Sequence, residues 1–278
     1  MRSLAAFLRP LRPAARAAVS VAASVAALFA VAPAQAQYAL AVSPPRFELS
    51  TRPGEPAREV LELTHSDSKA GAYKFKTADW SFRPDGSVVF GDELAEGSCR
   101  PWVAIERRDL LIAPGRPYRY RFEVAPPPDA KPQECRFAIM IEGQQPAQAP
   151  GMPIGLGARI GVIVYVAVGN VAPKLELAGS GVENVDGKPA AALRIRNTGD
   201  AHGRLGGFVT GTDAAGTRVE LQPASTPILP GETRTVTLVA NRPGSPEVPV
   251  AVKFPLQVSG KLDWGKDASL PLDLRIAQ

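Results

Sequence analysis

Tyr118-Arg119-Tyr120-Arg121-Phe122-Glu123-Val124 alternates apolar and charged side chains without a break. Successive side chains of an extended chain point to opposite faces, so this stretch reads as a strand with one buried and one wet face. It follows Leu111-Ile112-Ala113-Pro114-Gly115, an apolar strand end closed by a Pro-Gly turn. The same figure returns 116 residues later, where Ile228-Leu229-Pro230-Gly231 leads into Glu232 to Val239. That spacing has the scale of a domain rather than of a solenoid repeat. Shorter alternations run from Tyr73 to Lys76 and from Leu193 to Arg196. Pro84-Asp85-Gly86 and Asp213 to Gly216 supply turn signals between strand candidates. The sequence therefore predicts an all-β protein of two β-sandwich domains in tandem, residues 37–170 and 171–278, joined near Gly169 to Pro173.

Composition agrees. Of 278 residues, 28 are proline and 25 glycine, too many helix breakers for a helical bundle. With 45% hydrophobic and 21% charged residues the chain is neither disordered nor multi-spanning. The formal net charge of +5 arises largely in the first 36 residues, which hold Arg2, Arg9, Arg12 and Arg16 and no acid. Without them 28 Lys and Arg face 27 Asp and Glu, so the folded part shows no footprint for nucleic acid.

The same 36 residues read as a secretion signal. A basic start precedes the apolar stretch Ala17 to Val31, and Ala34-Gln35-Ala36 offers a cleavage site after Ala36. A membrane anchor is the rival reading, but about 15 apolar residues are short for a span of about 20. The expected product is exported, without stable membrane insertion, and its setting is a bacterial periplasm. Cys99 and Cys135, an even count in an oxidising compartment, are expected to form one disulfide.

Groups that carry out chemistry are scarce. His65 and His202 lie beside turn formers and are expected to be exposed polar side chains. Asp92-Glu93, and Asp263 with Asp267, sit in turn-like contexts where acids serve local hydrogen bonds. Gly155-Leu156-Gly157-Ala158-Arg159-Ile160-Gly161 faintly resembles a dinucleotide loop, but a β-branched run follows where a helix should begin. No enzyme, cofactor or metal site is expected. The resource of such a protein is its sheet edge, which can accept or donate a strand.

The chain resembles the periplasmic chaperones of chaperone–usher pilus assembly, the PapD-like proteins. Ala41-Val42-Ser43-Pro44-Pro45-Arg46-Phe47-Glu48-Leu49 looks like that family's first strand. Cys135 to Ile141 looks like its penultimate strand, and Ile154 to Val168, with Tyr165, like the last strand of its first domain. Arg196-Asn197-Thr198-Gly199-Asp200 resembles its turn after the second strand of domain two. The resemblance implies two immunoglobulin-like domains in an L-shaped arrangement. It implies a pilus or fimbrial subunit as partner, with an outer-membrane usher as a further one. It implies that Arg46 binds the subunit's terminal carboxylate. The family's second cation, a lysine, is not matched, and Arg159 is the nearest substitute. A donor strand would present Ile154, Leu156, Ala158, Ile160, Val162 and Val164 to the subunit's groove; alignment on Tyr165 would instead present Gly155, Gly157, Arg159, Gly161, Ile163 and Tyr165, and the first set would then fill the domain's own core. An exported two-domain structural or adhesion protein without a client is the alternative.

Overall fold

The structure, a computed structural model, describes residues 39–83, 86–144, 159–265 and 268–277. The leader 1–36, the turn residues Pro84 and Asp85, the donor positions Ile154, Leu156 and Ala158, and Asp267 lie outside the described residues.

Strands are the dominant regular element of the described residues, with one short 3-10 turn at Arg100–Trp102 among them. The first set is β1 (Leu40–Ser43), β2 (Arg46–Thr51), β3 (Ala57–His65), β4 (Gly71–Phe82), β5 (Val88–Gly91), β6 (Val103–Ile105), β7 (Asp109–Ile112), β8 (Tyr118–Val124), β9 (Gln133–Gly143) and β10 (Arg159–Val168). The second is β11 (Leu175–Val185), β12 (Lys188–Asn197), β13 (Val209–Thr212), β14 (Arg218–Pro223), β15 (Thr233–Arg242), β16 (Ser245–Pro249), β17 (Leu256–Asp263) and β18 (Ser269–Ile276). No strand of the first set pairs with one of the second.

In the first set, β1-β3-β8-β6 form one sheet and β2-β10-β9-β4-β5 another, with β7 also on β4. This is the strand order of an immunoglobulin-like sandwich whose opening strand is shared between sheets. The alternation from Tyr118 to Val124 holds: Tyr120, Phe122 and Val124 are buried while Arg119 and Arg121 face water. Across the gap Phe122 meets Phe47 edge-on at 5.1 Å, and Tyr120 stacks on Phe75 at 4.2 Å. Each such buried ring contributes roughly 1.5–3 kcal/mol through apolar burial. Cys99 and Cys135 are joined, their Cα atoms 5.6 Å apart. The bond ties the turn preceding β6 in one sheet to β9 in the other.

The second set forms one sheet, β11-β12-β15-β14-β13-β17-β18, with β16 on β15. Its end strands β11 and β18 approach each other, so the sheet rolls around a core that includes Leu193, Leu221, Val258 and Ile276. The repeated Pro-Gly figure is a structural repeat. Gly115 and Gly231 both have positive φ, 67° and 76°, a region where only glycine is unstrained. Gly115 N–H donates to the His65 carbonyl and Gly231 N–H to that of Asn197. Those acceptors end β3 and β12, the strands that pair with β8 and β15.

Two expectations are corrected here. Val162 and Val164 do not face outward: they are 1% and 0% exposed and fill the space between the two sheets of their own sandwich. The reason is register. Val164 lies beside Phe47 of β2 and Phe137 of β9, and Phe137 points at Phe122 of the facing sheet. The opposite face of β10 carries Gly161, Ile163 and Tyr165. There β5 folds back, and a Cβ on Gly161 would collide with the Phe90 ring. Gly161→Ala is therefore expected to cost about 1 kcal/mol, the low end for overpacking, because the Phe90 ring sits at an edge and can swing away. Urea unfolding checks this, and Phe90→Ala in the same chain should abolish the difference.

The histidines are the second correction. His65 is 4% exposed, with Nε2 donating to the Lys69 carbonyl and Nδ1 at 2.7 Å from the Tyr73 hydroxyl. His202 is also enclosed. Turn neighbours suggested exposure, but both rings found partners distant in sequence or carbonyls that only the fold supplies.

Candidate functional site

β2 runs parallel to β10, with Arg46 beside Ile163 and Glu48 beside Tyr165. Period two therefore puts Arg46, Glu48, Ile163 and Tyr165 on one face of the sheet, with Glu134 and Arg136 of β9 beyond them. Residues after β12 close on this face. His202 stacks on Tyr165, ring centroids 3.7 Å apart, and its Nδ1 donates to Glu134 Oε2 at 2.6 Å. The His202 backbone N–H donates to the other oxygen of the same carboxylate at 3.0 Å. Tyr165 packs edge-on against Trp80 at 5.4 Å. Burial pushes its phenol up to about 12.

Glu48 Oε1 is the hub. Arg46 Nε lies 2.8 Å from it, His202 Nε2 3.5 Å and Arg204 Nε 3.6 Å. Only the first is within ordinary hydrogen-bond distance. Arg204 donates through Nη1 to the Ser225 carbonyl at 2.8 Å and through Nη2 to the Tyr165 hydroxyl at 3.4 Å. Its Nε is buried and makes no hydrogen bond. Burial lowers the Arg204 pKa, which measures how poorly this guanidinium is solvated. Two guanidiniums thus converge on one half-exposed carboxylate. The arrangement has donors left over for a second acceptor.

The edge of the sheet is stepped at this point. From Ile163 to Val168, β10 is paired on both sides, by β9 and β2. From Arg159 to Val162 it is paired with β9 alone among the described residues. Arg46 stands at the corner of the step, as the first residue of β2.

Arg46 is thus placed at the converging cations. Arg159 is not. It is exposed, lies 3.5 Å from Glu142, and precedes Ile163 by four residues, about 13 Å of strand. The second cation near Arg46 is Arg204, from the other half of the chain. Ile160 is half-buried, where the strand passes from the core to the open edge. Sequence reasoning missed Glu48, Glu134, His202 and Arg204. Alternation around Cys135 does put Glu134 and Arg136 on one face, but His202 lies 68 residues from its partner and no local pattern joins them.

Among the described residues, no group of three His, Cys, Asp or Glu could hold a metal ion, and no helix is long and apolar enough to cross a membrane. No protein-family model matches the chain. No curated protein matches it either. Among solved structures it is similar to the class 5 fimbriae chaperone CfaA, with 10% identity over 84% of this chain and 98% of that one, TM-score 0.47. It is also similar to the E. coli chaperone DraB, with 13% identity over 85% and 98%, TM-score 0.46. A third is the Salmonella enterica SafA pilin in complex with the SafB chaperone, with 11% identity over 86% and 97%, TM-score 0.46.

Proposed function

We propose that this chain is a periplasmic assembly chaperone, built from domains 37–170 and 171–278, that holds exported pilus-type subunits by lending them a strand. The observation that carries the reading is the stepped edge with Arg46 at its corner. A guest strand laid against Arg159 to Val162 would extend the sheet and gain backbone hydrogen bonds. Its end would meet Arg46 and Arg204, whose spare N–H groups suit a terminal carboxylate in a charge-assisted pair. Ile154, Leu156 and Ala158, with Ile160 at the boundary, are the side chains lent to the guest. Val162 and Val164 are excluded, since they serve this chain's own core. The reading needs no ATP and no catalytic residue, because burial and hydrogen bonding drive the association. Delivery to an outer-membrane usher belongs to the same proposal.

Co-expression with a secreted pilus-type subunit is the test. Wild type should raise recovery of the subunit, and Arg46→Ala and Arg204→Ala should each lower it about tenfold or more. Equal recovery with and without the protein sinks the reading. The burial of Val162 and Val164 favours a second one, an exported double sandwich that keeps the whole strand for itself. It predicts that no subunit co-purifies.

A further inference from the structure

A second cleft opens over β9 and the end of β4 in the same sheet. The order β2-β10-β9-β4 puts β9 two strand spacings, about 10 Å, and β4 three, about 14 Å, from the strand that carries Arg46. The end of β4 supplies Phe82, followed by Arg83, and β9 supplies Arg136. Leu229, Glu232 and Arg234 face them from the turn before β15 and from β15 itself. The cleft measures about 920 Å³, within the range of ligand-binding cavities.

Among the described residues its charges are unbalanced. Glu232 is taken by Arg234, whose Nε lies 2.7 Å from Glu232 Oε1. Neither Arg83 nor Arg136 has a carboxylate within 4.0 Å among the described residues. Two of the guanidiniums lie over aromatic faces: Arg136 is 5.2 Å from the Trp80 ring centroid and Arg234 4.6 Å from that of Phe82. Ring contact leaves the N–H edge of a guanidinium open to an acceptor in its plane; on Arg234 that edge meets Glu232, whereas Arg136 has no such carboxylate among the described residues. Phe82 and Leu229 add apolar wall, which an inorganic anion would not use but a polypeptide would.

We propose that this cleft binds an acidic polypeptide segment, its carboxylates held by Arg83 and Arg136 and its backbone lying along Phe82 and Leu229. The cleft lies on the other side of Tyr165 from Arg46, with Arg136 as its nearest residue to that corner, and its binding does not depend on the chaperone reading.

The test uses the full mature chain and a fluorescein-labelled hexaglutamate peptide, followed by anisotropy at low salt, about 20 mM, where screening is weak. Saturable binding is expected, weakened about tenfold by Arg136→Gln and by Arg83→Gln. Arg83 is exposed, so its replacement leaves the fold intact and keeps the test valid should Arg136→Gln disturb the Trp80 packing. Arg119→Gln, on the wet face of β8, controls for bulk charge and should bind as wild type. Absence of saturable binding overturns the proposal, as does equal binding by all variants. Binding lost only in Arg46→Ala also overturns it, by moving the peptide to the Arg46 corner. Displacement by inorganic phosphate at equal concentration overturns the polypeptide assignment in favour of a simple anion site.

Discussion

Changing Cys99 and Cys135 together to alanine lowers the free energy of unfolding by about 4 kcal/mol. The bond closes a separation of 36 residues, and in the chain-entropy account a loop of that size restricts the unfolded chain by about this much. It also joins the two sheets of the first sandwich, so its loss frees their relative motion as well as the loop. Both sulfurs are enclosed, with Cys99 0% and Cys135 3% exposed, and alanine avoids leaving a hydroxyl without a partner there. The neighbouring turn has its own anchor. Arg100 donates to Asp79 at 3.1 Å and to the Thr77 carbonyl at 3.0 Å, and Ser98 donates to Asp79 at 2.6 Å. The variant should therefore keep its β-sheet circular dichroism while its urea midpoint falls sharply. Wild type in reductant should match it. A loss below about 1 kcal/mol would show that the Arg100 network alone holds the turn.

Tyr165→Ala is expected to cost about 3–5 kcal/mol, the range for removing a buried aromatic side chain. Tyr165 is 2% exposed and sits between Trp80 and the His202 ring, with the Arg204 guanidinium 5.8 Å from its centroid. Its loss leaves a cavity and strips Arg204 of one acceptor. Tyr165→Phe separates these effects, since it removes only the 3.4 Å hydroxyl contact and should cost about 1 kcal/mol or less. Urea unfolding and near-ultraviolet dichroism of the three proteins decide the matter. Equal stability of the alanine and phenylalanine variants would mean that the ring packing contributes nothing.

The parts of the fold legible in the sequence were those decided locally. Alternation from Tyr118 to Val124 stated which residues face the core, and the paired Pro-Gly figures marked equivalent turns, because period two and positive φ are properties of a short stretch. The orientation of β10 was not legible. Ile154 to Val168 is apolar on nearly every residue, so its pattern could not say which face meets the core. The answer came from Phe47 and Phe137, neighbours 117 and 27 residues away in the chain. The candidate site failed in the same way. Arg46 was found through resemblance, but Arg204 and His202 come from the other half and reach Glu48 and Glu134 only when both halves are folded.

The pairing of Arg46 with Ile163 also sets a timetable. For a chain delivered end first, β1 can dock on β3 early, but β2 has no strand to pair with until about 117 further residues have arrived, and a contact of such span closes slowly. Until then the unfinished sheet offers bare backbone to any neighbouring copy. Crowding of newly delivered chains should thus limit yield more than the final stability does.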